Sequence, residues 1–492
     1  MHLCGTVGTH AFQDHLIMRS QQPSLSYGSR QHSCHDSRGT RSLKPDPGQP
    51  TTTTRLILAV LLASTLGPYI LGPLRLDHLL IYPLGIVSIV RLFPTAYYTI
   101  PVPLLFVAGL LGANVVWCLA TTIAYTSLST DMLSALDNFL QPLLTLCIAM
   151  ALIQNTTQLQ LNRLFTSTCY GTLAVFSFNA LLAFAMSRGY LLDLAPYFVR
   201  SITETGQSVW ANALSTGRYT GIFDQPLETG LGYSVALLAW AFLVFAQGRR
   251  TALLFAALPL LLLGGVLAAS KTFLLGGIPL FLTTAVLLGL KRSRRALTVC
   301  AALFLALLSL LAGITFSETT IGGSYARKFL DQPIDSPMGA IAHFTSHRLA
   351  GAAVNLQLMQ RVLSTAPFRG FGYAPPDVPL DNGYLEFLYR GGLISLVLYL
   401  LVHLVFCVAA WGGRLHRRPL ALWSFLLLVL LLGAALGGPT LTMNRVSVPV
   451  WFMLAFSCAL LSRPTALSAP RPTGHQNPKG FAMPAPTGHC RP

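Results

Sequence analysis

The sequence predicts an all-α fold, a polytopic membrane helix bundle of about twelve transmembrane helices with one large outer, periplasmic loop. Three observations carry that expectation. Hydrophobic residues make up 53% of the 492 and charged residues only 10%, with a mean hydropathy of +0.59. A water-soluble chain of this length buries its core with far less apolar content, so the surplus must face another solvent. Apolar runs of about twenty residues recur along most of the chain, the length an α-helix needs to cross the hydrocarbon. Such a helix satisfies its own backbone hydrogen bonds, whereas a β-barrel would show short alternating segments, which are absent here.

Residues 1–54 are polar, rich in His, Ser, Arg and Gly, and end in the run Thr51 to Thr54. They contain no apolar h-region, so a cleavable signal peptide is not expected, and a disordered cytoplasmic tail is. Met18 is an alternative start within it. Residues 55–316 carry the first nine spans, at 56–73, 78–93, 101–126, 133–153, 164–187, 228–247, 252–269, 273–290 and 296–316. A medium outer loop lies near 188–227, and residues 317–383 form the large periplasmic loop. Residues 384–462 hold the last three spans, at 384–410, 420–437 and 447–462. The Pro-rich stretch 463–492 reads as a second disordered cytoplasmic tail. The second span is short and ends on Arg91, and the fourth contains Asp137, Asn138 and Pro142.

Orientation follows from the basic residues in short loops. With the N-terminus inside, inner loops hold Arg91, Arg163, Arg249, Arg250, Lys291, Arg292, Arg294, Arg295, Arg414, Arg417 and Arg418. The outer ones hold Arg75, Lys271, Arg445, Arg188, Arg200 and Arg218. The excess places both termini in the cytoplasm and loops 188–227 and 317–383 outside, in a bacterial inner membrane.

The net charge of +17 does not point to nucleic acid, because its lysines and arginines sit in tails and short loops rather than in a basic stripe interleaved with aromatics. Membrane lipids are the implied partners. Of nine cysteines, Cys118, Cys147, Cys169, Cys300, Cys407 and Cys458 lie inside apolar runs and Cys4, Cys34 and Cys490 in the tails. They read as small buried hydrophobes rather than disulfides or metal ligands.

Ionisable groups at membrane depth are costly and therefore mark function. Here they collect on the outer side in four clusters. The first is Arg218-Tyr219-Thr220-Gly221-Ile222-Phe223-Asp224-Gln225-Pro226, where a guanidinium can hold a phosphate bidentately or snorkel beside a turn. The second, Ser270-Lys271-Thr272, sits between two apolar runs with almost no loop, its lysine a compact charge near a ligand or near headgroups. The third is Ser346-His347-Arg348, followed by an amphipathic stretch with Leu349, Ala353, Leu356, Met359 and Leu363 at helical spacing, an interfacial helix beginning near Arg348. His343 and His347 are four apart, but no glutamate completes a metalloprotease signature, so no metal is expected. The fourth runs Gly370-Phe371-Gly372-Tyr373, Asp381-Asn382-Gly383-Tyr384-Leu385-Glu386 and Tyr389-Arg390-Gly391-Gly392. Read alone, Asp381 is a helix N-cap and Glu386 with Arg390 a helical ion pair.

Taken together, over roughly 210–460, these motifs in this order resemble the O-antigen ligase and O-antigen polymerase superfamily. The late Gly437-Gly438-Pro439-Thr440-Leu441-Thr442-Met443-Asn444-Arg445 suits its polymerases. The resemblance implies a metal-independent glycosyltransferase of the GT-C type, without cofactor, that takes a glycan from undecaprenyl pyrophosphate and transfers it to an acceptor hydroxyl at the periplasmic face. Flippase and chain-length regulator proteins are implied partners. Ligases of the superfamily carry histidine before the asparagine of the fourth motif; Asp381 stands there in this chain and favours a polymerase. The implied roles are Asp381 as base, Arg218 and Arg348 on the leaving pyrophosphate together with Lys271 and Arg445, and Asn382 and Tyr384 orienting the sugar. Glu386 and His347 are the alternative bases. A ligase or protein O-oligosaccharyltransferase shares this chemistry; a lipid-glycan flippase or transporter is the reading of a different class, disfavoured by the absence of an internal repeat.

Overall fold

The computed structural model describes residues 52–71, 74–94, 99–125, 130–199, 208–289, 354–376, 382–413 and 417–463, with the isolated residues 298, 336 and 380. The chain divides into two units, 1–46 and 47–492, and every described residue lies in the second.

In chain order the elements are α1 (Thr52–Ser64), a two-stranded antiparallel hairpin of β1 (Tyr69–Leu71) and β2 (Leu74–Arg75), α2 (Leu76–Leu92), α3 (Val102–Tyr125), α4 (Thr130–Gln154), α5 (Gln158–Ser187), a 3-10 turn (Leu192–Tyr197) and α6 (Val209–Ser215). Then come α7 (Pro226–Ala241), continued by a π-helical segment Phe242–Ala246, α8 (Ala252–Ala268), a π-helical turn Thr272–Gly277 leading into α9 (Ile278–Gly289), α10 (Val354–Thr365), α11 (Gly383–Gly413), α12 (Arg418–Ala434) and α13 (Asn444–Ser462). This is an all-α architecture apart from the small hairpin.

Among the described residues, seven helices are long and apolar enough to cross a membrane: Val102–Tyr125, Met132–Gln154, Gln158–Ser187, Pro226–Ala246, Thr272–Gly289, Gly383–Gly413 and Arg445–Ser462. Three shorter apolar helices, α1, α8 and α12, accompany them. Eleven of the twelve expected spans fall on a described helix; the ninth, 296–316, lies outside the described residues apart from Thr298. Also outside are most of the tails and most of the expected large loop.

Helix composition decides position in the bundle. In α7 and α13, 94% and 89% of the apolar window is buried inside the protein, so these two helices are central. The same share is 33% in α3 and α11, whose outward faces carry Val102, Phe106, Val116, Ile123, Val397, Leu404, Val408 and Trp411 in exposed positions. A soluble protein rarely exposes contiguous apolar faces on this scale; lipid is the solvent that tolerates them. The chain is a multi-pass membrane protein. Around the centre, α13 packs on α4 and α5, α2 on α4, α5 on α8, and α11 on α3.

Two expectations are corrected here, and one expected span shows a break. The first span, drawn over 56–73, stops at Ser64. Gly67 and Pro68 cannot extend the helix, and the chain turns into the hairpin instead. The tenth span, expected over 384–410, contains a break at Gly391-Gly392. Its helix begins at Gly383 and breaks at those glycines, with Gly391 at φ −134° and Gly392 at φ +65°. The amphipathic stripe of the third cluster is rotated: in α10 the buried residues are Leu358 and Val362, against Leu385, Leu388 and Tyr389 of α11, while Leu363 is exposed. A protein surface rather than headgroups covers that face, and it selects the i, i+4 pair lying on α11.

Candidate functional site

The first and second clusters meet at one end of the bundle. Ala268 ends α8 and Ala269 takes the left-handed conformation at φ 43°, so the chain reverses at once and Ser270-Lys271 leads straight into the next π-helical turn. Tyr219 N–H donates to Leu267 O at 2.8 Å and Arg218 Nε to Ala268 O at 3.3 Å, which sets Arg218 beside the turn that carries Lys271. Both basic side chains are half-buried. Ser270 is buried against Gly230 of α7, where a Cβ would lie 2.3 Å from its hydroxyl. Small residues at helix contacts of this kind let backbones approach closely within a membrane.

The Thr220–Phe223 segment is held from three directions. Asn179 of α5, fully buried, accepts from Ile222 N–H at 3.0 Å and donates Nδ2 to Thr220 O at 3.1 Å. Gly221, at φ +66°, lies so close to this amide that a Cβ would meet Asn179 Oδ1 at 2.2 Å, which explains the glycine in the motif. From the other side, Arg445 at the start of α13 donates Nη1 to Ile222 O at 2.5 Å and Nη2 to Phe198 O at 2.9 Å. Arg445 is only 2% exposed, and its guanidinium lies 5.5 Å from the Tyr69 ring centre and 5.8 Å from that of Phe198. Tyr69 Oη donates to Asp224 Oδ2 at 2.9 Å. Burial first, and then the Asp224 carboxylate, raise the Tyr69 hydroxyl well above its ordinary range, so it remains a neutral donor.

Tyr69 links this region to a buried ionic network at the α2–α4 contact. Arg75 lies 6.0 Å from the centre of the same Tyr69 ring and grips Asp77 bidentately, Nε to Oδ1 at 3.0 Å and Nη2 to Oδ2 at 2.9 Å. Gln141 Nε2 donates to Asp77 Oδ2 at 3.2 Å, and His78 Nε2 lies 3.3 Å from Asp137 Oδ2. Tyr82 Oη hydrogen-bonds Asp137 as well. Arg75 is held as a cation by Asp77 against the opposing effect of its burial. The second and fourth spans thus bring their charged residues into one paired cluster, the form in which intramembrane charge is tolerated.

The fourth cluster is built on the broken helix. Asn382 Oδ1 accepts from Leu385 N–H at 3.2 Å, so Asn382 occupies the N-cap role considered for Asp381, and its Nδ2 donates to Leu436 O at 3.3 Å. Tyr384 Oη donates to Leu432 O at 2.7 Å, and Glu386, buried, accepts from Thr442 Oγ1 at 3.1 Å. The expected ion pair is replaced: Arg390 Nη1 donates to Ala374 O at 2.7 Å instead of meeting Glu386. The carbonyls freed at the break are used by its neighbours. Phe371 N–H donates to Tyr389 O at 2.7 Å, Gly372 N–H to Arg390 O at 2.8 Å, and Trp117 Nε1 to Gly391 O at 3.0 Å.

Arg218, Lys271 and Arg445 are therefore joined through one loop, and Asn382, Tyr384 and Glu386 gather where α11 meets residues 432–442. The Thr442–Glu386 hydrogen bond and the position of Arg445 three residues after Thr442 tie the two groups to the start of α13. Asp381, Arg348 and His347 lie outside the described residues. Sequence reasoning did not nominate Asn179, Glu228, Tyr69 or the Arg75-Asp77-His78-Asp137 network. Glu228 is buried in the first turn of α7. The usable signal was present, since Asp77, His78 and Asp137 are ionisable residues at the edge of or inside apolar runs. No family model matches the chain, and no characterised protein matches it.

Proposed function

We propose that this protein is a polysaccharide polymerase of the O-antigen ligase and polymerase superfamily, with about twelve spans and both termini in the cytoplasm of a bacterial cell. On this reading it transfers a glycan from undecaprenyl pyrophosphate to an acceptor sugar hydroxyl at the periplasmic face of the inner membrane. The observation that carries the proposal is the convergence of Arg218, the Lys271 turn and the Arg445-clamped loop at one end of the bundle. A departing diphosphate needs preorganised positive charge, and guanidinium and ammonium groups there supply it without a metal.

Roles divide by exposure. Arg218 and Lys271 are half-buried and are the groups offered to phosphate oxygens, with Arg348 from the large loop as their partner. Arg445, buried and bonded to two carbonyls, acts as a positioning residue that holds the Thr220–Phe223 segment. Asp381 removes the proton from the acceptor hydroxyl as it attacks the anomeric carbon, and the pyrophosphate leaves with the bonding electrons. Asn382 and Tyr384, which follow it in the chain, orient the sugar, Glu386 and His347 are the alternative bases, and the large loop acts as a lid over the two glycan chains.

Asp381→Asn, with surface glycan resolved by gel, tests this. A polymerase loses long chains and keeps single units on the acceptor. Loss of all attachment with accumulation of carrier-linked polymer assigns a ligase, and single units stranded on the cytoplasmic side assign a flippase. An Arg218→Ala, Arg348→Ala double variant that keeps full chain length overturns the pyrophosphate reading.

A further inference from the structure

Two arginines converge at the end of the bundle opposite the residues proposed for transfer. Arg463, one residue past α13, donates Nη1 to Thr156 O at 2.6 Å and Nη2 to Ile153 O at 3.1 Å, where α4 runs into α5. Arg417, which caps α12, reaches the same turn. With its amide oxygen facing the guanidinium, Gln158 accepts from Arg417 Nη1 at 2.9 Å and from Nη2 as well. The turn is fixed by a capping box, Thr157 Oγ1 accepting from Gln160 N–H at 3.3 Å and Thr157 N–H donating to Gln160 Oε1 at 2.9 Å. The ends of α11 and α13 meet closely too: a Cβ on Gly413 would lie 2.4 Å from Leu461 Cδ2, and Arg417 N–H donates to Gly413 O at 2.9 Å.

This corner carries positive charge that the protein does not balance. The partners of both guanidiniums are neutral carbonyls and an amide, and neither meets a carboxylate among the described residues. The stretches 154–163, 411–419 and 463–492 contain no Asp or Glu at all. The described carboxylates Asp77, Asp137, Asp224, Glu228 and Glu386 lie at or near the starts of α2, α4, α7 and α11, toward the other end. Burial alone lowers Arg417 and Arg463 from the ordinary arginine range, with no carboxylate to oppose it, yet arginine stays charged at neutral pH. Arg417 Nε is buried without a hydrogen-bond partner. Each Nη carries two N–H groups, and the carbonyl bonds of Arg463 use one apiece.

Apolar stripes lead to the same corner. On α11, Leu404, Val408 and Trp411 are exposed at helical spacing, and on α12 Arg418, Phe425 and Val429 share one exposed face. Trp411, near the end of α11, stands where an indole favours the headgroup boundary. We infer that the Arg417–Arg463 corner binds the phosphate of an anionic phospholipid whose chains lie on the exposed faces of α11 and α12. Basic pockets between helix ends hold such headgroups by charge-assisted hydrogen bonds. A zwitterionic headgroup brings an ammonium that this end repels. The inference stands independently of the proposed transfer.

Native mass spectrometry of the full chain in detergent, incubated with equimolar phosphatidylglycerol and phosphatidylcholine, tests it. Retention of phosphatidylglycerol over phosphatidylcholine by about tenfold or more is expected, reduced about fivefold by Arg417→Gln and by Arg463→Gln. Arg463→Lys keeps the charge and loses the fork; it should fall between, and it stands in if the glutamine variant fails to fold. Arg249→Gln with Arg250→Gln, an exposed pair on the α7–α8 turn, should leave the preference unchanged. Equal retention of the two lipids, a preference indifferent to Arg417 and Arg463, or an equal loss in the Arg249, Arg250 variant overturns the inference. Inorganic phosphate and glycerol 1-phosphate in excess should not displace the lipid; displacement by either assigns a free-phosphate site and overturns it too.

Discussion

Replacing Arg445 with methionine probes the centre of the site with a side chain of similar length and no charge. Arg445 makes two charge-assisted hydrogen bonds, to Ile222 O at 2.5 Å and Phe198 O at 2.9 Å, from a position only 2% exposed. Such bonds contribute about 1.5–3 kcal/mol each, and the buried Ile222 carbonyl loses its charged donor. Methionine recovers part of the packing against Tyr69 and Phe198, so the net loss should be about 3–5 kcal/mol, the range for removing one buried charged partner. Lysine keeps the charge but not the fork and should lose less than methionine. Denaturation in detergent micelles followed by tryptophan fluorescence measures this, and limited proteolysis of the 208–223 region reports whether the loop is released. The contrast is Arg218→Ala, which removes a half-buried side chain bonded to Ala268 O at 3.3 Å and should abolish long-chain product. An Arg445→Met protein that denatures like the parent and keeps the loop protected refutes the clamp.

Further outcomes follow from the same geometry. Asp77→Ala leaves Arg75 and Gln141 buried without their carboxylate and should cost about 3–5 kcal/mol, whereas Arg75→Met with Asp77→Leu should recover most of it, both read by denaturation. Gly370→Ala and Gly221→Ala meet backbone or amide atoms within 2.5 Å and should lower folded yield sharply, while Gly412→Ala, with nothing within 4 Å of a built Cβ, should be neutral. Ala269→Gly relieves the left-handed conformation at φ 43° and should stabilise by up to about 1 kcal/mol, seen as a higher melting temperature. Alkaline phosphatase fused after residue 216 or 366 should be active and after 249 or 463 inactive; the reverse pattern refutes the orientation.

The sequence alone determined that this is a helical membrane protein, because spans must be long and apolar whatever they pack against; eleven of the expected segments coincide with described helices. It also located the loop 218–226 and the turn at Lys271 as polar features worth attention. Helix ends and breaks were less legible: Gly67-Pro68 stops α1 early, and Gly391-Gly392, inside the expected span 384–410, breaks its helix, with Phe371, Gly372 and Trp117 bonding the carbonyls there. What only the tertiary structure decided is which polar groups meet. His78 and Asp137 are 59 residues apart in the chain and Arg445 lies 223 residues from Ile222, so no local periodicity encodes their contact. Those pairings are selected by the packing of α2 on α4 and by the seat of α13 in the bundle, where a buried charge needs a partner that lipid does not supply.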